Sequence, residues 1–193
     1  MGSTGVETGV ARVSDGVGEG GLSADTERVV LRDGSSVVIR LLAADDEAAI
    51  ARWFTRWFAG LRPETLYARL FVLRQRLALC PESALACGDR SDHEVVMAFA
   101  PDGVTVGIAR CLRVDKPGGA EVTVAVADDW QGRGIASMLL ERIATKARSV
   151  GIEQLTAICL ASNLTFIRLL SRLGATTIAP AAAGLVDIRT DLI

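Results

Sequence analysis

A glycine-containing turn between a valine-rich strand pattern (residues 121–127) and a long helical pattern constrains this chain most. The turn contains Gly132 and Gly134, and an apolar repeat of helical period begins at Ile135. Glycine adopts backbone angles that a Cβ disfavours, so successive amide N–H groups can converge here on one anion. The positive end of the helix dipole faces the same point. The turn therefore predicts a phosphate-binding loop, and Gly151 is expected to end the helix.

Length and composition predict one domain. The chain has 193 residues, 50% of them hydrophobic, which is enough for one sizeable core over residues 28–193. Residues 1–27 are rich in glycine and lack apolar periodicity, so we expect a flexible tail there. A net charge of -2 without a basic, aromatic-interleaved stretch argues against nucleic acid as a partner. No apolar run reaches membrane length, so a cytoplasmic protein with no membrane partner is expected.

The hydrophobic pattern predicts an α+β fold on a mixed, mostly antiparallel sheet. Short turns connect the predicted strands that precede the glycine turn, which is typical of antiparallel neighbours. The helix after the turn is long enough for a crossover, so the next strand should return parallel to residues 121–127. The predicted elements are strands at 29–31 and 37–39, helices at 45–60 and from 63, strands at 94–100, 104–114 and 121–127, a helix from 135, a strand at 154–160, a helix from 163 to Gly174, and one or two edge strands at 178–193.

The cysteines and the single histidine give no sign of a metal site. Cys80, Cys87, Cys111 and Cys159 show no C-x-x-C spacing, and with His93 they match no zinc pattern. We expect unpaired thiols, a structural role for His93 and no bound metal. Catalysis by a histidine-based triad is correspondingly disfavoured.

Three kinds of phosphate-binding motif are compatible with a glycine turn, of which one is excluded here and a second is disfavoured. A P-loop needs a lysine, and the turn has none. A dinucleotide-binding turn needs glycine or alanine where Ser137 stands, and its strand leads directly into the first glycine, whereas residues 128–131 intervene here. The remaining pattern, Gln/Arg-x-x-Gly-x-Gly/Ala, is met by residues 131–136. This motif resembles the acyl-coenzyme A loop of the GNAT acetyltransferases, and the order of elements over residues 28–193 fits that superfamily.

A narrower resemblance concerns the start of the domain and the strand before the turn. Residues 31–34, 39–40, 62–70 and 120–122, the last just ahead of 128–134, are similar to the Pat-type bacterial protein lysine acetyltransferases. This resemblance implies acetyl-coenzyme A as cosubstrate and a protein lysine as acceptor. It also implies that Glu121 is the catalytic base. The cyclic-nucleotide-binding domain of some relatives is not expected, because only a short tail precedes the fold.

The residues themselves also support a base at position 121. Strand alternation places Glu121, Thr123 and Ala125 on one face. A lysine ammonium must lose a proton before it can attack a thioester. Apolar neighbours would raise the pKa of the Glu121 carboxyl and make it a better proton acceptor. By spacing alone, a solvated edge residue is an equally good interpretation, and the resemblance favours catalysis.

The remaining site residues are expected to hold the cofactor. Main-chain groups at Val124, Ala125 and Val126 would bind its arm as an added strand and polarise the thioester carbonyl. Main-chain amides of the motif at residues 131–136, which ends at Ala136, would donate hydrogen bonds to the pyrophosphate. Gln131 would hold the start of the loop. Asn163 contacts the arm or a water in many relatives, but it fits equally well as a plain helix cap. The predicted pyrophosphate contacts are Gly132, Gly134 and Ile135, helped by Arg133 and the hydroxyl of Ser137.

One position departs from the family pattern. Many members have a tyrosine four residues before the helix-ending glycine as the acid for the departing thiolate, and this chain has Leu170 there. The only tyrosine, Tyr67, is distant in sequence. Either the thiolate leaves unaided or a water or another group protonates it. The sequence therefore predicts a protein lysine acetyltransferase, with a small-amine acetyltransferase or a non-catalytic acyl-coenzyme A sensor as alternatives.

Overall fold

The computed structural model describes residues 26–41, 93–114 and 118–192. Within them, eight strands form one sheet in the order β1-β2-β3-β4-β5-β6-β8-β7. All pairs are antiparallel except β5 with β6, which confirms the predicted α+β class. Most of the predicted tail, both helices between 45 and 71, Tyr67, Cys80 and Cys87 lie outside the described residues. The elements are β1 (Thr26–Val30), β2 (Ser36–Leu41), β3 (His93–Phe99), β4 (Thr105–Arg113), β5 (Gly119–Val126), α1 (Ile135–Ser149), β6 (Gln154–Leu160), α2 (Leu164–Ser171), β7 (Thr176–Pro180) and β8 (Leu185–Asp191).

A tight turn joins β1 to β2. Gly34 has a φ of 84°, and the Leu31 amide donates to the carbonyl of Ser35 at 2.7 Å. The Asp33 carboxylate accepts from both the amide and the hydroxyl of Ser35. The predicted Asp-Gly hairpin is therefore confirmed, and it presents the Asp33 carboxylate at its tip.

Helix α1 covers one face of the central strands. Leu139, Ile143 and Ala147 are fully buried, as the apolar repeat predicts, and the helix packs on β3, β4 and β5. Gly107 on β4 allows this close packing, because a Cβ there would lie only 3.0 Å from Leu139 Cδ1. After Gly151, which has a φ of 77°, β6 returns parallel to β5, so the crossover is confirmed.

The C-terminal part contains one edge strand, within the predicted one or two, and differs from the prediction in one respect. Strand β7 lies at the edge, and β8 lies between β6 and β7. Helix α2 ends at Ser171 rather than at Gly174. Gly174 has another role: a Cβ at this position would lie 1.7 Å from the carbonyl oxygen of Asp191, so only glycine fits against β8. Among the residues described, no helix is long and apolar enough to span a bilayer.

Candidate active site

The glycine loop has the predicted left-handed conformation. A short 3-10 turn, Asp128–Trp130, follows β5, and then Gly132 and Gly134 have φ angles of 75° and 92°. Gly134 is the N-cap residue of α1. No described atom lies within 4 Å of an added Cβ at either glycine. Both glycines are therefore required by their backbone angles and not by crowding.

The first turn of α1 supplies hydrogen-bond donors beside this loop. The amides of Ile135, Ala136 and Ser137 precede the first intrahelical bond, in which the Met138 amide donates to the carbonyl of Gly134. Ile135 is buried to 1% exposure, so its side chain anchors the helix while its amide stays at the loop. The Ser137 hydroxyl donates to Glu141 Oε1 at 3.1 Å. The loop and helix end together fit a bound phosphate group.

Gln131 holds the start of the loop. Its side-chain amide donates to the carbonyl of Val126 at 3.2 Å and to Asp128 Oδ1 at 2.8 Å. The first of these bonds ties the loop to the last residue of β5.

Arg133 makes a contact that sequence reasoning missed. Its guanidinium lies 2.9 Å from Asp33 Oδ2, donates to the carbonyl of Asp129 and sits 4.7 Å from the centroid of the Trp130 ring. Hydrogen bonds from Ser35, and then the charge of Arg133, hold the pKa of Asp33 below its ordinary value. Arg133 thus joins the glycine loop to the β1–β2 turn, and no local sequence signal pairs these two distant segments.

Strands β5 and β6 pair only at their beginnings. Their register comprises Gly119 with Gln154, Ala120 with Leu155 and Glu121 with Thr156, whereas β5 stays paired with β4 to Val126. The Ala127 amide bonds to Val106 on β4. Beyond Thr156 a gap therefore separates β5 from β6. Strand alternation directs the main-chain groups of Val124 and Val126 into this gap and those of Ala125 towards β4. An extended ligand can pair with the former two residues.

A small cavity adjoins Glu121 where the two strands separate. Glu121 is half-buried and lies in one cross-strand row with Leu112, Thr156 and Arg189. The structure thus places the predicted base at the mouth of the β5–β6 gap. The cavity encloses about 130 Å³ and is lined by Glu121, Thr156, Ala157, Ile158, Asp187, Ile188 and Arg189.

The side chains at positions 163 and 170 have structural contacts. Asn163 Oδ1 accepts from the Phe166 amide at 3.2 Å, so Asn163 caps α2. Its contact with a cofactor stays a prediction. Leu170 is buried to 1% exposure in the core, so its position supplies no acid for a departing thiolate.

The described cysteines are inaccessible to chemistry in the cavity. Cys111 and Cys159 are unpaired and buried in the core beneath α1 and α2. Burial, followed by the charge of Glu94, raises the pKa of the Cys111 thiol to about 12. Neither thiol is therefore a candidate nucleophile. The described residues contain no cluster of three or more metal-ligating side chains.

Comparison with known proteins identifies the family. The model of the acetyltransferase (GNAT) family matches residues 48–175. The chain is 35% identical over 114 residues to acetyltransferase Pat of Mycolicibacterium smegmatis, a match that covers 58% of this chain and 34% of that protein. The chain thus spans about a third of this relative.

Two solved structures share the fold. The GNAT domain of S. lividans PAT has a TM-score of 0.68 and 27% identity, with 90% of this chain and all of that chain covered. The YncA acetyltransferase from Salmonella typhimurium, whose structure contains acetyl-CoA, has a TM-score of 0.52 and 24% identity, with 81% of this chain and 94% of that chain covered. The chain therefore belongs to the GNAT family of acetyltransferases.

Proposed function

We propose that this protein transfers the acetyl group of acetyl-coenzyme A to a lysine side chain of another protein. The observation that carries the proposal is the position of Glu121. It stands where β5 and β6 separate, with the cavity beside it and the main chain of Val124 and Val126 further along the same strand, beyond the last residue that pairs with β6. A proton acceptor and a place for an extended acyl donor thus adjoin each other.

The residues of the loop fit the phosphate-bearing part of the cosubstrate. The amides of Gly132, Gly134 and Ile135 would bind the pyrophosphate, and the end of α1 would add its dipole. Val124 and Val126 would pair with the arm and direct amides towards the thioester carbonyl. Arg133 lies between Asp33 and Trp130, and it would have to bind phosphate without leaving that position.

Glu121 would prepare the acceptor for attack. Bound acetyl-coenzyme A supplies an activated acetyl group. The lysine ammonium gives one proton to Glu121, and the amine nitrogen bonds to the acyl carbon. The carbon–sulfur bond then breaks as its electron pair leaves with sulfur, and the second proton lost by the nitrogen passes to solvent or to the released thiolate. With a thiol pKa of about 8.5, the thiolate can leave without a dedicated acid. The burial of Leu170 agrees with such a departure.

The size of the cavity argues against a drug-sized acceptor that is enclosed as a whole. Pockets that enclose a drug-sized ligand have volumes of about 300–1,000 Å³, whereas the described residues enclose about 130 Å³ beside Glu121. That space suits the slender end of one lysine side chain. Similarity to acetyltransferase Pat of M. smegmatis and to the GNAT domain of S. lividans PAT agrees with the Pat-type resemblance of the sequence.

Acetylation of candidate proteins tests the proposal directly. The protein is incubated with acetyl-coenzyme A and a bacterial protein mixture, and acetylated lysines are located by mass spectrometry. Sites that appear with wild type and disappear with Glu121→Gln are expected. Parallel reactions contain polyamines and aminoglycosides. Transfer confined to these small amines would contradict a protein acceptor, and cofactor binding without any transfer would indicate a sensor.

A further inference from the structure

Strand β8 brings two charged side chains to the cavity beside Glu121. Asp187 and Arg189 are two residues apart on the strand, so their side chains share a face. Asp187 lies opposite Ile158, and Arg189 lies opposite Thr156, in the row of Glu121. Asp187 is half-buried and Arg189 is exposed. The cavity thus has an acidic group at the Ile158 end and a basic group at its rim.

The Asp187 carboxylate is available to a ligand. No hydrogen bond or ion pair links its side chain to any other part of the chain that the structure describes, and Arg189 two residues away does not pair with it. By contrast, Asp191 on the same strand accepts a hydrogen bond from the side chain of Gln154. A carboxylate that lines a cavity is best stabilised by a cation that enters it.

The spacing between Glu121 and Asp187 suits two neighbouring residues of an extended peptide. Asp187 is two strands across and two residues along from Glu121, so their Cα atoms are about 12 Å apart. Residues one or two apart in an extended chain are separated by roughly 3.5 to 7 Å, and long side chains cover the remainder. Each carboxylate can therefore face its own cationic side chain.

We propose that Asp187 is a specificity-determining residue, which favours acceptors with a second cationic side chain one or two residues from the acetylated lysine. The inference rests on the proposed function, because it concerns the acceptor of the same reaction. Arg189 opposes this preference at the rim, since its guanidinium repels a basic neighbour. Among the residues that the structure describes, Arg110, Asp191 and Glu121 are the other charged groups on this face around the cavity, and Glu121 is assigned to the reacting lysine.

Acceptor peptides that differ at one position test the assignment. Each carries one lysine, with arginine, glutamine or glutamate two residues away, and kcat/KM is measured with saturating acetyl-coenzyme A. For wild type we expect the arginine peptide to exceed the glutamine peptide by roughly fivefold, mostly through KM. Raised ionic strength should reduce this ratio, which a purely structural role of Asp187 would not produce.

Three variants separate the acceptor contact from general charge effects. Asp187→Asn should bring the ratio close to one, and Arg189→Gln should increase it. Asp191→Asn is the matched control, because it removes the same charge from the same face of β8 outside the cavity, and it should leave the ratio unchanged. Since the ratio is taken within each variant, a lower overall activity does not affect it.

The outcomes distinguish the two levels of the proposal. If wild type acetylates all three peptides equally well, or Asp187→Asn keeps the wild-type ratio, the role of Asp187 is wrong while the acetyltransferase function stands. If no peptide or protein is acetylated although acetyl-coenzyme A binds, the proposed function itself fails and the inference fails with it.

Discussion

The glycine loop and the Glu121 cavity both adjoin β5, but they are built from different parts of the chain. The loop offers main-chain amides from a continuous segment, residues 131–137. The cavity is lined mostly by side chains that three strands bring together, with Glu121 from β5, Thr156 from β6 and Asp187 from β8. A main-chain site tolerates substitution wherever the backbone conformation survives, whereas a side-chain site changes with one residue. The proposed cofactor-binding loop should therefore tolerate most substitutions, whereas a single substitution in the proposed acceptor cavity should change its binding properties.

The two regions are also held in place differently. The loop is tied to β5 by Gln131 and to the β1–β2 turn by Arg133. The cavity opens where the β5–β6 pairing stops, beyond Thr156. Substitutions that affect one region and spare the other test this division.

The largest expected effect is at the cavity. Glu121→Gln removes the proposed proton acceptor and should lower kcat by at least about a hundredfold, the range of general-base catalysis. The dissociation constant of acetyl-coenzyme A, measured by calorimetry, should stay within about twofold, because main-chain groups bind it. Glu153→Gln, at an exposed position, is the matched control and should retain activity. Wild-type kcat in Glu121→Gln would contradict the assignment.

The packing beneath the loop should give the next largest effect. Gly107→Val places methyl groups against Ile135 and Leu139, where even one Cβ is 3.0 to 3.1 Å from their side chains. We expect a loss of about 1–3 kcal/mol in the free energy of unfolding, measured in urea. Acetyl-coenzyme A should also bind more weakly because α1 carries the loop. Gly107→Ala should show a smaller loss, and a stability equal to wild type in both variants would contradict this packing.

The backbone of the loop is tested at Gly134. A valine at its φ of 92° is strained by about 1–2 kcal/mol, so Gly134→Val should weaken acetyl-coenzyme A binding about tenfold or more. Gly134→Asn should bind better than Gly134→Val, since asparagine tolerates left-handed angles. Because no described atom crowds this position, equal affinities in the two variants would show that conformation is not the cause.

The smallest effect is expected at the β1–β2 turn. Hydrogen bonds from Ser35 and the charge of Arg133 lower the pKa of Asp33 below 3.8. Ionised Asp33 therefore stabilises the fold at neutral pH, and this contribution is lost as the pH falls through the lowered pKa. Asp33→Asn should slightly lower the thermal midpoint at pH 7, and the difference from wild type should disappear in acid. A difference that is constant with pH would contradict the role of the charge.

Local sequence was sufficient for the hairpin, the meander and the glycine loop. Asp33 and Gly34 encode a turn, the apolar repeat after Ile135 encodes a buried helix face, and Gly132 and Gly134 encode left-handed angles. These features depend on residues adjacent in the chain, so their physical causes are visible in the sequence. The parallel return of β6 follows from the length of the crossover helix and the chirality of such connections.

Long-range packing decided the rest. The insertion of β8 between β6 and β7 brings Asp187 and Arg189 to Glu121, and a shift of one residue in that pairing would turn both side chains to the opposite face. The pairing of Arg133 with Asp33 and the approach of Gly174 to Asp191 likewise join segments far apart in sequence. The sequence by itself thus determined the loop and its expected ligand class. Only the tertiary structure decided which side chains face the proposed base, because strand register is set by the packing of the whole sheet.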